Sequence, residues 1–351
     1  MSWYIRPYRA GDEAGILRLW AEVFGKPMSI ETWTWKMRRR PSRVANEWVA
    51  ADDSGAVVGH YGGMPLDMTL GDEVVPALSS VDAMTRPDFR GHGLAKQLIQ
   101  TVHAVWADAG VALAIGLPNE TLKPWREQST TVFELSWLRM PLRLDEIVGR
   151  GGREGWAGPI ARPLGLAAAR LGRRSWPRRA DAVAIRDVSG DEFDGERLEQ
   201  VWSHAAPSFT YSVVRDADWW KWRFVDHPEV SYRLLLATKA GAGMGAIAYK
   251  VTKDGGAVRG VLAELLCRDG DRAVANTLVR AALEDLWQRG AGTVHALAPA
   301  GGPLEATLRA QGFRSRPEAF TFMYVPLSDV AIGLSRDPAL WHLSGADFDV
   351  V

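Results

Sequence analysis

The sequence predicts a mixed α/β protein (α+β, with helices on the faces of a mixed sheet) made of two copies of one domain. Three observations predict it. The chain has 351 residues, more than one domain usually holds. It repeats itself at an offset of roughly 180 to 190 residues, a domain-sized period. Each copy reads as strand, helix, helix, a meander of strands, helix, strand, helix, strand, an order that closes into a sheet covered by helices. The repeat is direct: Ile5-Arg6, Gly11-Asp12-Glu13 and Trp20 return as Ile185-Arg186, Gly190-Asp191-Glu192 and Trp202. The next match is tighter, Trp33-Thr34-Trp35-Lys36-Met37 with Pro41 against Trp220-Lys221-Trp222-Arg223-Phe224 with Pro228.

Along the first copy, Asp12 and Ser29 suit the N-caps of helices ending near Phe24 and Arg39. Strands are expected over 47–51, 56–70 and 74–84, a long helix over 90–108, and a short buried strand over 111–116. Trp33, Trp35, Trp220 and Trp222 recur in both copies and are expected in the core. The boundaries that follow are 1–145 for the first domain, 146–182 for a linker, 183–328 for the second domain and 329–351 for a tail. From Leu138 to Ala180 stand ten arginines and no lysine against Asp145, Glu146 and Glu154. There Trp156, Ile160, Leu164, Ala168 and Leu171 predict a connecting helix whose arginines either face solvent or meet phosphate.

Composition narrows the function. Hydrophobic residues at 47% and charged residues at 24% exclude a disordered or fibrous chain. Forty-two basic residues balance forty-two acidic ones, so no overall field draws nucleic acid or an anionic membrane. Cys267 alone cannot form an internal disulfide, and no cysteine cluster exists to hold a metal. No apolar run reaches the roughly 18 residues of a membrane span, and the N-terminus lacks a signal-peptide core. These readings predict a cytoplasmic protein without metal, membrane or nucleic-acid partner.

The most informative segment is Asp82-Ala83-Met84-Thr85-Arg86-Pro87-Asp88-Phe89-Arg90-Gly91-His92-Gly93-Leu94-Ala95, a strand end turning into the long helix. A helix N-terminus exposes unpaired N–H groups and the positive end of the helix dipole. Gly91 and Gly93 let an anion approach that backbone closely, so the segment reads as a phosphate cradle. Leu94, Leu98, Val102 and Val105 give the helix behind it an apolar face.

Arg90, Gly93 and Ala95 match Arg/Gln-x-x-Gly-x-Gly/Ala, and on that match the chain resembles the GNAT superfamily of acyl-CoA-dependent N-acyltransferases. Gly59-His60-Tyr61-Gly62-Gly63-Met64-Pro65, Gly116-Leu117-Pro118-Asn119-Glu120, the Trp-x-Trp-Arg-Phe run, and Trp341 with Asp347 and Asp349 resemble a bacterial two-repeat group of that superfamily. The resemblance implies tandem GNAT folds. It implies that backbone amides of the signature (Arg90, Gly91, His92, Gly93, Leu94, Ala95) hold the CoA pyrophosphate. The strand ending near Met84 would pair with the pantetheine arm, with Thr85 and Arg86 flanking it. Acetyl-CoA or another short acyl-CoA is then the co-substrate, and the acceptor a small-molecule amine such as an amino sugar, a nucleotide-linked one or a secondary metabolite. Monomer and homodimer are both compatible. The second copy is degenerate: Ala273 and Ala275 take the places of Gly91 and Gly93, with Asp269 and Asp271 nearby to repel a pyrophosphate.

Attack of an amine on a thioester needs a neutral amine, a polarised carbonyl and a route for the thiolate to leave. Asp82, two residues before Met84 and so on its strand face, is either the base or a buried carboxylate bound to a neighbouring strand. His60 is either a substrate contact or a satisfied interior histidine. The tyrosine acid that many family members carry after the cofactor-side strand has no counterpart between Glu120 and Trp137, so either the thiolate leaves unprotonated or Tyr61 or a second-domain group such as Tyr211 supplies the proton. Asn119 suits a catalytic or cofactor contact, or a helix cap. Glu120, Trp219 and Arg223 are candidate substrate contacts. Asp347 and Asp349 resemble a metal pair, but no metal is expected. Two alternatives stand beside the acyltransferase: a Fem-type aminoacyl-tRNA-dependent transferase, and a CoA-binding module without turnover.

Overall fold

A computed structural model describes residues 2–38, 44–119, 122–143, 176, 178–180 and 182–348. The expected linker helix, Glu120 and Asp349 lie outside the described residues. In the first half, β1 (Tyr4–Pro7) leads to α1 (Glu13–Phe24) and α2 (Ile30–Arg38). Ser29 caps α2, its hydroxyl accepting from Thr32 N–H at 3.1 Å. Asp12 has no side-chain cap bond to α1 and instead pairs with Arg6 at 2.6 Å. The strands β2 (Glu47–Ala51), β3 (Val57–Leu70) and β4 (Glu73–Thr85) form an antiparallel meander. Then come α3 (Leu94–Asp108), β5 (Leu113–Gly116), α4 (Lys123–Arg126) and β6 (Thr130–Pro141).

The same order returns later in the chain. It runs β7 (Ala184–Asp187), α5 (Gly195–Ala205), an added β8 (Tyr211–Val213), α6 (Ala217–Trp220), then β9 (Arg233–Lys239), β10 (Ala242–Asp254) and β11 (Ala257–Cys267). It continues through α7 (Arg272–Gln288), β12 (Thr293–Pro299), α8 (Pro303–Ala310) and β13 (Arg314–Pro326), and β14 (Trp341–His342) follows. No helix among the described residues is long and apolar enough to cross a membrane.

All these strands join one mixed sheet in the order β1-β2-β3-β4-β5-β13-β6-β12-β11-β10-β9-β7. The centre of that order is an exchange. β5 pairs with β13, Gly116 opposite Met323, while β6 pairs with β12 from Pro141 opposite Thr293 to Leu135 opposite Pro299. Each half thus lends its last strand to the other, and one sheet runs through both.

The main apolar core crosses the same boundary, joining Trp33, Met64 and Val81 to Trp220, Phe224 and Leu343. At its middle Trp35 and Trp222 stack with ring centroids 5.1 Å apart. Trp35 Nε1 donates to the Trp222 carbonyl at 2.7 Å, and Trp222 Nε1 donates to the Trp35 carbonyl at 3.1 Å. Equivalent residues of the two halves therefore make the same contact in both directions, as in an isologous interface. The four recurring tryptophans are buried, as expected.

The chain after β13 packs into this junction. β14 pairs with β8, which pairs with β3. Residues 344–348 are held by a buried ionic cluster in which Arg215 bonds Glu264 at 2.8 Å and Asp347 at 2.7 Å. His342 Nε2 lies 3.0 Å from Glu264, and Ser344 Oγ donates to the same carboxylate at 2.8 Å. Arg223, expected in a substrate cleft, is 3% exposed and donates to the carbonyls of Ala346 and Phe348. Trp219, expected beside it, is fully buried under the Arg215 guanidinium. The C-terminal segment engages Arg223 and the Arg215 guanidinium lies over Trp219, so neither side chain faces an open cleft.

Candidate active site

β4 and β5 pair in parallel only from Ala77–Leu113 to Ser79–Ile115. β4 then runs on to Thr85, whereas β5 stops at Gly116. Parting strands leave a wedge, and α3 and α4 close its sides. A cavity of about 750 Å³ occupies it, lined by Met84, Thr85, Gly91 and Gly93 on one wall and by Asn119 and Lys123 on the other. A recess of about 180 Å³ adjoins it, lined by Phe24, Tyr61, Ser80, Asp82, Asn119 and Trp125.

The cradle stands at the outer end. The long helix begins at Leu94 rather than Arg90, because Gly91 and Gly93 adopt φ of +78° and +87°, where glycine is favoured. The first bond of the helix runs from Gln97 N–H to Gly93 C=O, and the amides of Gly91 to Lys96 meet no acceptor among the described residues. A Cβ built on either glycine would meet nothing within 4 Å. Open space, free amides and the helix dipole together fit a diphosphate. Lys96 and Lys123, which sequence reading missed, add cations to the lining of the same cavity. Arg90 Nε donates to the Thr85 carbonyl at 3.2 Å, tying the cradle to the strand. Two expected cofactor contacts are redirected: Arg86 bonds Asp88 at 2.8 Å, and exposed His92 turns Nδ1 to the Arg90 carbonyl at 2.8 Å.

The second half shows the contrast. α7 begins after Asp271, whose carboxylate accepts from Ala273 N–H at 2.8 Å and Val274 N–H at 3.1 Å. The anion site of that helix is thus filled by its own N-cap. Asp269 and Asp271, rather than Ala273 and Ala275, occupy the turn and cap positions of Gly91 and Gly93, since Asp269 has φ +50° and Asp271 stands immediately before the helix.

At the inner end β4 bulges. His60 pairs with Met84 and Gly62 with Val81, so Tyr61 alone faces both Asp82 and Ala83. Asp82 sits at φ +54°. The extra residue breaks the alternation that placed Asp82 on the face of Met84, and Met84 shares a core cluster with Val81 instead. The Asp82 carboxylate lines the recess, yet Oδ1 accepts from Lys36 Nζ at 2.8 Å in a buried pair. The base candidate is held by a lysine on α2.

His60 is fully buried with both ring nitrogens engaged, Nδ1 with the Asp82 carbonyl at 2.8 Å and Nε2 with Glu47 at 2.9 Å. Burial opposes its charge, but the Glu47 carboxylate outweighs burial and raises its pKa. Its ring is held by interior partners, while the residue also lines the larger cavity. Tyr61 is also buried, and desolvation pushes its phenol pKa up. Its hydroxyl meets Ser80 Oγ at 3.0 Å, His103 Nε2 at 2.8 Å and Trp125 Nε1 at 2.9 Å. Asn119 lines both cavities while its Oδ1 accepts from Leu122 N–H at 3.2 Å, so it caps and faces the site together.

Burial lowers the pKa of His103 from 6.5 to about 4. Between those values the unfolded chain takes up a proton that the folded chain refuses, so the contribution of His103 is complete above about pH 6.5 and declines as pH falls toward 4. About 3 kcal/mol of stability is expected to disappear over that window. Denaturant unfolding at pH 7 and pH 4.5 should show a smaller difference for His103→Gln than for the unaltered chain; equal differences would assign the acid sensitivity elsewhere.

The sequence model described as acetyltransferase (GNAT) domain matches residues 4–122. No curated protein is significantly similar in sequence. Solved structures share the fold at low identity. A GCN5-related N-acetyltransferase from Anabaena variabilis is 10% identical, with TM-score 0.65, over 93% of this chain and 73% of that one. N-myristoyltransferase from Saccharomyces cerevisiae, solved with myristoyl-CoA, is 10% identical, with TM-score 0.63, over 92% of this chain and 82% of that one. Eis1 from Mycobacterium abscessus is 15% identical, with TM-score 0.58, over 93% and 74%. The cradle and the strand wedge both lie inside residues 4–122, the segment that matches the acetyltransferase (GNAT) domain.

Proposed function

We propose that the protein transfers a short acyl group, acetyl above all, from CoA directly to a primary amine of a small molecule. The observation that carries this reading is the contrast between the two helix starts: amides open above a cavity at α3, amides closed by Asp271 at α7. One donor site in the first half follows, with the diphosphate on residues 91–96 and Lys96 and Lys123 beside it. The thioester arm lies along Met84 and Thr85, which brings the acyl group to the bulge. Phe24, Tyr61 and Trp125 limit the recess to about 180 Å³ and favour a small acyl group. CoA supplies the activated acyl carbon, so the residues of this chain need only orient the amine and manage its proton.

The test is thermal-shift and calorimetric titration with acetyl-CoA, then thiol release across amine panels of amino sugars, nucleotide-linked amino sugars and secondary-metabolite amines. Stabilisation by acetyl-CoA with amine-dependent thiol release is expected. Stabilisation without release on any panel would reduce the protein to a binding module. Salt-sensitive tRNA binding without acetyl-CoA binding would move it to the Fem-type class.

A further inference from the structure

We infer that Ser80, Tyr61 and His103 form a hydrogen-bonded proton relay from the recess into the protein, with Ser80 as the group that meets the reacting atoms. The inference rests on the acyl-transfer reading above and adds to it the route of the proton.

The direction of every bond in the chain is fixed by its far end. Gln128 Nε2 donates to the Pro124 carbonyl at 3.1 Å, which turns Oε1 toward His103 Nδ1 at 3.2 Å. An amide oxygen only accepts, so Nδ1 carries the hydrogen. Burial keeps this imidazole neutral, which leaves Nε2 with a lone pair. The partner at Nε2 is the Tyr61 hydroxyl at 2.8 Å, so the phenol must donate there. Trp125 Nε1, which can only donate, lies 2.9 Å from the Tyr61 oxygen and 3.1 Å from Ser80 Oγ. With the Tyr61 proton committed to His103, the 3.0 Å contact between Ser80 and Tyr61 has Ser80 as donor. Both hydroxyls therefore point inward. Ser80 lines the recess and has a second lone pair to present to it.

This polarity excludes Tyr61 as an acid acting directly on the sulfur, since its proton faces away from the recess. It suits acceptance. As the amine nitrogen bonds to the acyl carbon, its proton passes to Ser80 Oγ, the Ser80 proton to Tyr61, and the Tyr61 proton to His103 Nε2. The imidazolium so formed keeps Nδ1–H on Gln128. When the carbon–sulfur bond breaks, the same three transfers run in reverse and place the proton on the departing thiolate. The products are amide and free thiol, and Ser80, Tyr61 and His103 return to their starting forms. The low proton affinity of His103 makes it a brief holder, ready to give the proton back.

Two measurements test the relay. In the free protein, imidazole ¹⁵N NMR near pH 7 should find His103 neutral, Nδ1 protonated and Nε2 accepting, with the Nε2 shift moving in Tyr61→Phe. A neutral ring with the hydrogen on Nε2 overturns the assignment. In turnover, Ser80→Ala and His103→Gln should each lower kcat by at least about 100-fold, the range of general acid–base catalysis, with the KM for acetyl-CoA unchanged. Glutamine can accept the Tyr61 bond but cannot hold a proton, so His103→Gln separates transfer from positioning. The solvent-isotope proton inventory should be curved in the unaltered enzyme and lose that curvature in Ser80→Ala. A Ser80→Ala enzyme with full kcat overturns the relay alone. A wild-type protein that neither binds acetyl-CoA nor releases thiol overturns the acyl-transfer reading and, with it, the relay.

Discussion

Gly93→Asp is expected to abolish acyl-CoA binding while leaving the fold intact. The substitution copies onto α3 what Asp271 does at α7, where a carboxylate takes two of the first amides of the helix. A diphosphate would lose two charge-assisted hydrogen bonds and face a like charge in their place. At about 1.5–3 kcal/mol for each bond, affinity should fall by more than about 100-fold. The left-handed φ of +87° adds strain of about 1 kcal/mol, and the new Cβ meets no atom within 4 Å. Gly93→Ala carries the same strain without the charge and should lose much less affinity. Calorimetric titration of both variants with CoA, beside their unfolding midpoints, separates the effects. Undiminished binding by a folded Gly93→Asp would remove the cradle from the site.

Arg215→Met should produce the largest loss of stability. The guanidinium is fully buried between Glu264 and Asp347, and both carboxylates are equally inaccessible. Burial raises the Glu264 pKa, but the charges and hydrogen bonds of Arg215 and His342 together hold it well below its usual range. Removing the one cation that joins both carboxyl groups leaves two buried acidic side chains without the partner they share. Breaking a buried pair in this way costs about 3–5 kcal/mol, enough to threaten folding of many domains. Urea unfolding is the measurement, and Arg215→Met with Glu264→Gln should recover part of the loss. A single variant as stable as the parent would show that the cluster contributes little to holding the C-terminal segment.

The sequence carried the cradle because its signal is local: two glycines and a proline-opened turn within fourteen residues, 82–95, with an apolar helix directly behind them. The recurring tryptophans were equally legible, since burial follows from their repetition in a half whose helix start is closed. What the sequence hid depends on long-range pairing. One extra residue at Asp82–Ala83 overturns a face assignment that strict alternation required. Ser80, Tyr61, His103 and Gln128 come from β4, β3, α3 and the end of α4, and no spacing rule connects them. Nothing local reveals that the carbonyls of Ala346 and Phe348 return to Arg223, or that the Arg215 guanidinium lies over Trp219.

The exchange of β6 and β13 has a consequence for dividing the chain. A protein cut between its halves would leave β5 without β13 and β12 without β6, so each piece would expose a strand edge that the whole chain covers. The later half, whose helix start is closed by Asp271, completes the sheet of the half that holds the open cradle. Mutations that loosen it should be felt at the cradle and recess of the first half.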